Sequence, residues 1–420
     1  MAHSPLLTAG RRSGGAGDLR RGNLTQILRY VRDHGPSSRH DIAEGCGLGI
    51  STMTDLVAEL RGRGLVQELD ALRRPGAGRP TRPIALDGER WCVLGVEVDL
   101  LVLRFLCTTV GGRELFSGEV PARLLGSGVE AGYELLRAAL CSQLDRVPAD
   151  STLVAVQLGL PGYVAGHRGT VSWSNALGWS EMPLQQLVHD TVDDAGFTDV
   201  AVAVAHDAHL AGLHAVRQEL GLPLPPVAVY VGGTRDAGGA LIVDGAVFQG
   251  ADGGAGDVGH LNVERDGPEC ACGRRGCLGS LVELERLLER AALVSPAEAA
   301  DLVVSDPCAA LALLLEAAAA GDARVLPLLN EAGRALGIAL DDVIGALNPH
   351  VVVLGGYLGA LDPYLGAALR AELTPRLAVD AFAGTTLVAL DAVAPRVLAG
   401  AALAARDTCL DDPLSRTHPL

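Results

Sequence analysis

GAGDVGHLNVERDGPECACGRRGCLG, residues Gly254 to Gly279, is the stretch around which the chain is organised. Within it His260, Cys270, Cys272 and Cys277 stand as H-x9-C-x-C-x4-C, a set of soft or borderline metal ligands. Zn²⁺ in a structural role takes four such ligands in a tetrahedron, and a Cys3His set leaves no open position for water. Gly267, Gly273 and Gly276 allow the tight backbone that three converging sulfurs require. The alternative is a group of buried or disulfide-bonded cysteines. The N-terminus lacks the charged, apolar and small-residue order of a secretory signal, which argues against disulfides. Ligand type and spacing therefore favour structural zinc.

Working outward, the 420 residues suffice for about two or three domains. Nearly half are apolar but only 3% are aromatic, so the cores are aliphatic. All 34 basic side chains are Arg. Net charge is −16 and unevenly placed: residues 1–90 hold 14 Arg against 10 Asp plus Glu, the remainder 20 against 40. A basic N-terminal segment on an acidic body implies that only the N-terminus meets a polyanion; the alternative is a chance imbalance on a solvated surface. Residues 343–361 carry no formal charge, but Asn348, Pro349, His350 and several Gly interrupt them. They read as a helix end and a buried strand, not a membrane span. Six further cysteines are scattered at 46, 92, 107, 141, 308 and 409, a usage that suits a reducing cytoplasm.

Residues 1–18 are rich in Gly, Ser and Arg and read as a disordered tail. From Asn23, Leu24, Ile27, Leu28 and Val31 recur at helical spacing up to Gly35-Pro36. Ser38 caps a second short helix, and C-G-L-G-I-S-T makes a tight turn. A third helix over Ser51–Arg63 buries Met53, Leu56, Val57 and Leu60 and exposes Ser51, Thr52, Thr54, Asp55 and Arg61. This is the helix-turn-helix pattern, whose second helix enters the major groove. Two strands, opening at Gly64-Leu65-Val66 and closing over Thr81–Leu86, flank the basic loop of residues 70–80 as a wing. Arg73, Arg74 and Arg79 on that loop suit phosphates or a narrow minor groove, and Arg39 joins them as a candidate DNA contact. A small helical oligomerisation module is the competing reading. Downstream, strands at 91–106, 153–160, 200–205, 227–231, 240–243 and 351–354 alternate with helices at 130–144 and 326–347, with a hairpin turn at Gly111-Gly112. That alternation gives an α/β body.

G-D-V-G-H followed by C-x-C-G-x-x-G-C-L resembles the ROK family of bacterial sugar kinases and sugar-responsive repressors. S-R-x-D-I-A-x-x-x-G-L from Ser38, with G-L-V and G-R-P, resembles the winged helix-turn-helix of ROK repressors. Gly49 departs from the family's Ser, so capping of the recognition helix falls to a neighbour. The resemblance implies a DNA-binding head over 19–88 and a two-lobed, actin-like (RNase H-like) body over 89–412. The small lobe would cover about 89–208 plus 398–412, the large lobe about 209–397. It implies a homodimer or dimer of dimers on a double-stranded DNA operator, and a sugar or sugar-phosphate effector in the cleft. No membrane partner is expected. The effector residues carried over are Asn175, His206, Asp207, Asp257 and His260, with Asp207 standing at the catalytic position of the kinases. His206 replaces an Asn, Asp257 replaces a Glu, and Gly279 stands where the family has a Glu.

ROK kinases open the body with G-x-D-x-G-G-T; here Gly95–Leu101 lacks the two Gly and the Thr. The second phosphate turn, G-T-G-x-G-x-G in kinases, is here Gly233-Thr234-Arg235-Asp236-Ala237-Gly238-Gly239. Phosphate needs close backbone amides, so Leu100 and Leu101 offer bulk and Asp236 offers repulsion. The expectation is a regulator without catalytic activity, a repressor of carbohydrate-related genes. The alternatives are a sugar kinase with a fused regulatory head and a regulator that has lost its effector.

Overall fold

The computed structural model describes residues 16–70, 82–165, 168–221, 223–390 and 396–411. Three helices open it: α1 (Ala16–His34), α2 (Arg39–Cys46) and α3 (Ile50–Gly62). Helix α1 begins inside the expected tail, because Arg20 pairs with Glu59 of α3 at 2.6 Å and ties its first turn down; residues 1–15 lie outside the described residues. A capping box starts α2: Ser38 Oγ accepts from the Asp41 amide and Asp41 Oδ2 from the Ser38 amide. Gly49 is the N-cap of α3, and no side chain caps that helix, so the expected substitute cap is not made. Strand β1 (Val66–Glu68) pairs antiparallel with β2 (Ile84–Leu86). The wing arginines Arg73, Arg74 and Arg79 lie outside the described residues.

The head does not hang from a linker. Leu24, Ile27, Met53 and Ile84 form one buried cluster with Trp91, Val93, Val154, Ala405 and Leu410 of the body. The apolar stripe of a short helix is stable only when covered, and here the body supplies part of the cover.

Two five-stranded sheets form the body. The first contains β3 (Trp91–Val98), β4 (Val102–Thr109), β5 (Glu114–Pro121), β6 (Thr152–Leu160) and β10 (Ala201–His206). Helix α4 (Val129–Leu144) precedes β6; a small sheet of β7 (Tyr163–Ala165), β8 (Thr170–Ser174) and β9 (Trp179–Met182), then α5 (Leu184–Asp194), lie between β6 and β10. Helix α6 (Asp207–His214) runs into a π-helical turn, Ala215–Glu219. The second sheet contains β11 (Val227–Gly232), β12 (Gly238–Val243), β13 (Ala246–Val247), β14 (Val351–Leu354) and β15 (Thr386–Ala389). Helices α7 (Gly279–Val282), α8 (Leu284–Arg290), α9 (Pro296–Ser305), α10 (Pro307–Ala319) and α11 (Val325–Leu347) lie between β13 and β14. Helix α12 (Gly356–Leu377) follows β14, and α13 (Arg396–Asp411) ends the described chain.

The strand orders are β5-β4-β3-β6-β10 and β13-β12-β11-β14-β15. Each is an antiparallel meander extended by two parallel strands, so one plan is used twice. Helix α13 returns to the first sheet and seats where a Cβ on Gly95 would come within 2.7 Å of the Ala402 amide nitrogen. The single strand expected over 91–106 is two, reversed at Asp99–Leu101. Strands buried on both faces read as an unbroken apolar run, so a fold-back inside the run leaves little trace. No helix among the described residues is long and apolar enough to cross a membrane.

Candidate functional site

Corresponding reversals of the two sheets face each other. Asp99–Leu101, Pro161-Gly162 and His206-Asp207 from the first meet Gly233–Ala237 and Gly356 from the second, around a cavity of about 750 Å³. The 254–279 stretch closes one side of it.

That stretch brings His260, Cys270, Cys272 and Cys277 together, with all ligand atoms within 4.8 Å of one another. Cys272 Sγ lies 3.7 Å from Cys277 Sγ, and Cys270 Sγ 3.4 Å from His260 Nδ1. Tetrahedral ligands at zinc bond lengths sit about 3.3–3.8 Å apart, so the set fits a metal ion. It does not fit a disulfide, and all nine cysteines are free. Gly276, at φ +67°, turns the chain under the Glu264 carbonyl, where no Cβ fits. Burial pushes the Cys277 thiol up to about 12. Burial works the same way on Cys272, but hydrogen bonding from Arg274, its Nε 3.5 Å from the sulfur, outweighs it and brings that thiol down to about 6.

All five residues carried over as effector contacts line the cavity. His260 lies 6.2 Å, ring to ring, from both Tyr163 and Trp173, which stack on each other at 5.2 Å. The Tyr163 hydroxyl donates to Asp257 Oδ2. Burial raises Asp257, against the pull of His260. Asn175 donates through Nδ2 to the Ala271 carbonyl at 3.0 Å, so it also braces the metal loop. Burial holds His206 down to about 4, hence neutral, with Nε2 3.4 Å from Asp207 Oδ1. Asp207 accepts from the Ala208 amide at 2.7 Å, and burial together with Asp236 pushes it up to about 7.

The two altered turns meet across the cleft. Arg235 donates to Asp99 Oδ1 at 2.7 Å and to the Val303 carbonyl at 2.9 Å. Leu100 is 5% exposed. The guanidinium therefore ties the turn after β3 to the turn after β11. The sequence shows Arg235 as a departure from the phosphate-turn motif but not as this bridge. It also missed Tyr163, Trp173, Glu97 and Glu283, all on the cavity wall. The available signal was that two of the chain's rare aromatics, Tyr163 and Trp173, follow the P-G turn after β6.

On the head, Ser51, Thr52 and Thr54 are exposed on α3, although Thr54 Oγ1 is bonded to the Ile50 carbonyl. Arg61 is exposed, 3.0 Å from Glu68. Arg39 is clamped to the same carboxylate at 2.5 Å. A DNA phosphate would have to compete with Glu68 for either guanidinium.

The sequence model of the ROK family matches residues 129–407. The DNA-binding transcriptional dual regulator NagC of Escherichia coli strain K12 is 25% identical over 394 residues, 86% of this chain and 91% of that protein. A glucokinase of Halalkalibacterium halodurans is 26% identical over 278 residues, 64% of this chain and 80% of that protein. A solved ROK family transcriptional regulator, a homologue of the E. coli MLC protein, shares the fold with a TM-score of 0.74 at 21% identity, covering 94% of this chain and 98% of that one. The regulators align through head and body, whereas the kinase aligns over a smaller share of this chain. With a family match across most of its length and the two-lobed, actin-like body behind a helix-turn-helix head, this chain belongs to the ROK family.

Proposed function

We propose that the protein is a DNA-binding transcriptional regulator, a repressor whose operator affinity responds to a sugar-type ligand in the cleft. The observation that carries this reading is the joining of a winged helix-turn-helix head to a body whose phosphate-side turns are tied together by Arg235 and Asp99. Residues 19–88 act as the DNA-reading unit and 89–412 as the ligand-reading unit. Ser51, Thr52, Thr54 and Arg61 face DNA bases or phosphates, with Arg39 supporting them. Asn175, His206, Asp207, Asp257 and His260 form the ligand wall.

His260, Cys270, Cys272 and Cys277 hold structural zinc, which supplies a cross-link and no reaction chemistry. It fixes the loop that carries Asp257 and His260 into the cavity. A dimer places two recognition helices on successive major grooves, about 34 Å apart. Carboxylates and amides suit this ligand because sugar hydroxyls donate and accept in fixed directions.

The test is binding of the full-length protein to its own upstream DNA, at stated salt, with and without a sugar panel. Specific binding modulated by a sugar supports the reading. Specific binding that no sugar alters removes the effector. Absence of specific binding, together with ATP-dependent phosphorylation of a sugar, would falsify the regulator assignment in favour of a kinase.

A further inference from the structure

The charges around the cavity restrict what enters it. Three guanidiniums reach its wall, those of Arg104, Arg235 and Arg396. Arg104 is committed to Glu97 at 3.1 Å, Asp99 at 3.2 Å and Glu119 at 3.0 Å. Arg235 is committed to Asp99 and to backbone carbonyls. Arg396 is bonded twice to Glu219, at 2.5 and 2.7 Å. His206 and His209 are held neutral by burial, each down to about 4. Among the described residues, no uncommitted guanidinium is left on the wall to receive a phosphate group.

The acceptors are in the opposite condition. Asp236 lies close enough to raise both Asp207 and Glu283, after burial the strongest influence on each. Glu97 Oε2 is buried on the same wall with no hydrogen-bond partner. The Glu283 side chain has no hydrogen bond or ion pair among the described residues, and it folds back over the first turn of α7. Its Oε1 lies 3.3 Å from the point where a side chain on Gly279 would begin. Gly279 itself is bonded through its amide to the Gly259 carbonyl, beside His260. The absent side chain at 279 thus leaves open a part of the wall that the Glu283 carboxylate reaches from the next turn.

We propose that Glu283 is the specificity-determining carboxylate of the cleft, and that the ligand it reads is a sugar without an anionic group. Resting on the ligand-responsive reading above, this narrows the effector to a sugar whose hydroxyls or amino group donate hydrogen bonds. Sugar phosphates are excluded because they meet surplus carboxylate and no available cation.

The experiment is thermal shift and calorimetric titration of the full-length, zinc-loaded protein at pH 8. The probes are glucose, xylose, N-acetylglucosamine and glucosamine, each beside its phosphate ester. One or more unphosphorylated sugars should raise the melting temperature, with the esters inert. Glu283→Ala should weaken that sugar about 10- to 100-fold, the usual loss for a hydrogen bond to a charged acceptor. Glu283→Gln should lose more affinity for an amine-bearing sugar than for a neutral one. Unchanged zinc content and a melting temperature no lower than that of wild type in the ligand-free variants establish that they fold. A phosphate ester binding more tightly than its parent sugar overturns the proposal, as does a Glu283→Ala affinity within about twofold of wild type. A wild-type protein that no sugar shifts overturns it together with the effector part of the proposed function. A responsive wild type whose sugar affinity Glu283→Ala leaves unchanged overturns this proposal alone.

Discussion

Replacing Arg217 by alanine asks whether the helix-turn-helix head is held to the body by buried charge as well as by apolar packing. Arg217 lies in the π-helical turn after α6, its side chain 2% exposed. It donates to Asp407 of α13 at 2.5 Å and lies 3.6 Å from Asp33 of α1. Arg32 of α1, 8% exposed, bonds the same two carboxylates. Two guanidiniums and two carboxylates from three elements thus close one network. Removing one partner from a buried pair costs about 3–5 kcal/mol, because the other charge is left uncompensated. Here Asp33 and Asp407 are each 18% exposed and keep Arg32, so about 2–3 kcal/mol is the reasonable share. That is roughly a 30- to 150-fold change in a local opening equilibrium. Native-state hydrogen exchange reads it directly. Protection in α1 and α13 should fall by that factor while α8 and α11, whose buried residues belong to a separate apolar cluster, keep theirs. Equal protection of α1 in Arg217→Ala and wild type would refute the reasoning and assign the docking to the Leu24–Trp91–Leu410 cluster alone.

Further changes test the cleft, the metal loop and the head. Burial raises Glu97 to about 7, so in the folded state it stays protonated after its unfolded counterpart has ionised. Its contribution to stability is therefore greatest at low pH and declines from about pH 4.5 to 7. Glu97→Gln should remove that decline and raise stability at pH 8 by about 2–3 kcal/mol in denaturant titrations. Burial raises Asp99 too, but Arg235 outweighs it and holds the carboxyl below its usual range. Arg235→Ala should then cost about 2–3 kcal/mol at pH 7, a loss that shrinks as pH falls through the carboxylate range. Cys272→Ser should lower zinc, measured by elemental analysis, and weaken the sugar response more than DNA binding; an intact response without zinc sinks the bracing role. Thr52→Glu, on the exposed face of α3, should abolish operator binding in a mobility-shift assay with no change in melting temperature.

The sequence reveals some of these features and conceals others for physical reasons. The metal ligands are legible because they are local: four donors inside one loop define their own geometry. The first and third head helices are legible because Leu24 and Ile27, and Met53 and Leu56, repeat at the helical period. The fold-back at Asp99–Leu101 is not, since Trp91–Leu106 is apolar on both sides of the turn. The cleft contacts are hardest, because they join residues far apart in the chain. Asp257 meets Tyr163, and Arg235 meets Asp99, across the two lobes. No spacing rule links such pairs. Glu283 is hidden differently: it reads as an ordinary helix-start acid until Gly279 is seen to leave room for it.

The same long-range joins define how the cleft and the head are connected. His206 and Asp207, on the cavity wall, begin α6. That helix is only two turns long and runs directly into the π-helical turn. From the turn, Arg217 bonds Asp407 and approaches Asp33 of the head, while Glu219 holds Arg396 at the start of α13. One short, buried element therefore touches the cavity wall at one end and the base of the helix-turn-helix head at the other. A ligand shifts DNA affinity only by the difference in its own affinity for two arrangements of the protein. In this geometry that difference has to be felt at the start of α6 or through the metal loop that faces it. Buried charge resists partial displacement, because a guanidinium pulled from its carboxylates loses its partners without regaining water. The Arg217 network should accordingly occupy one docked geometry or another, the discrete behaviour a switch requires, and Arg217→Ala should flatten the sugar dependence of DNA binding even where DNA affinity survives.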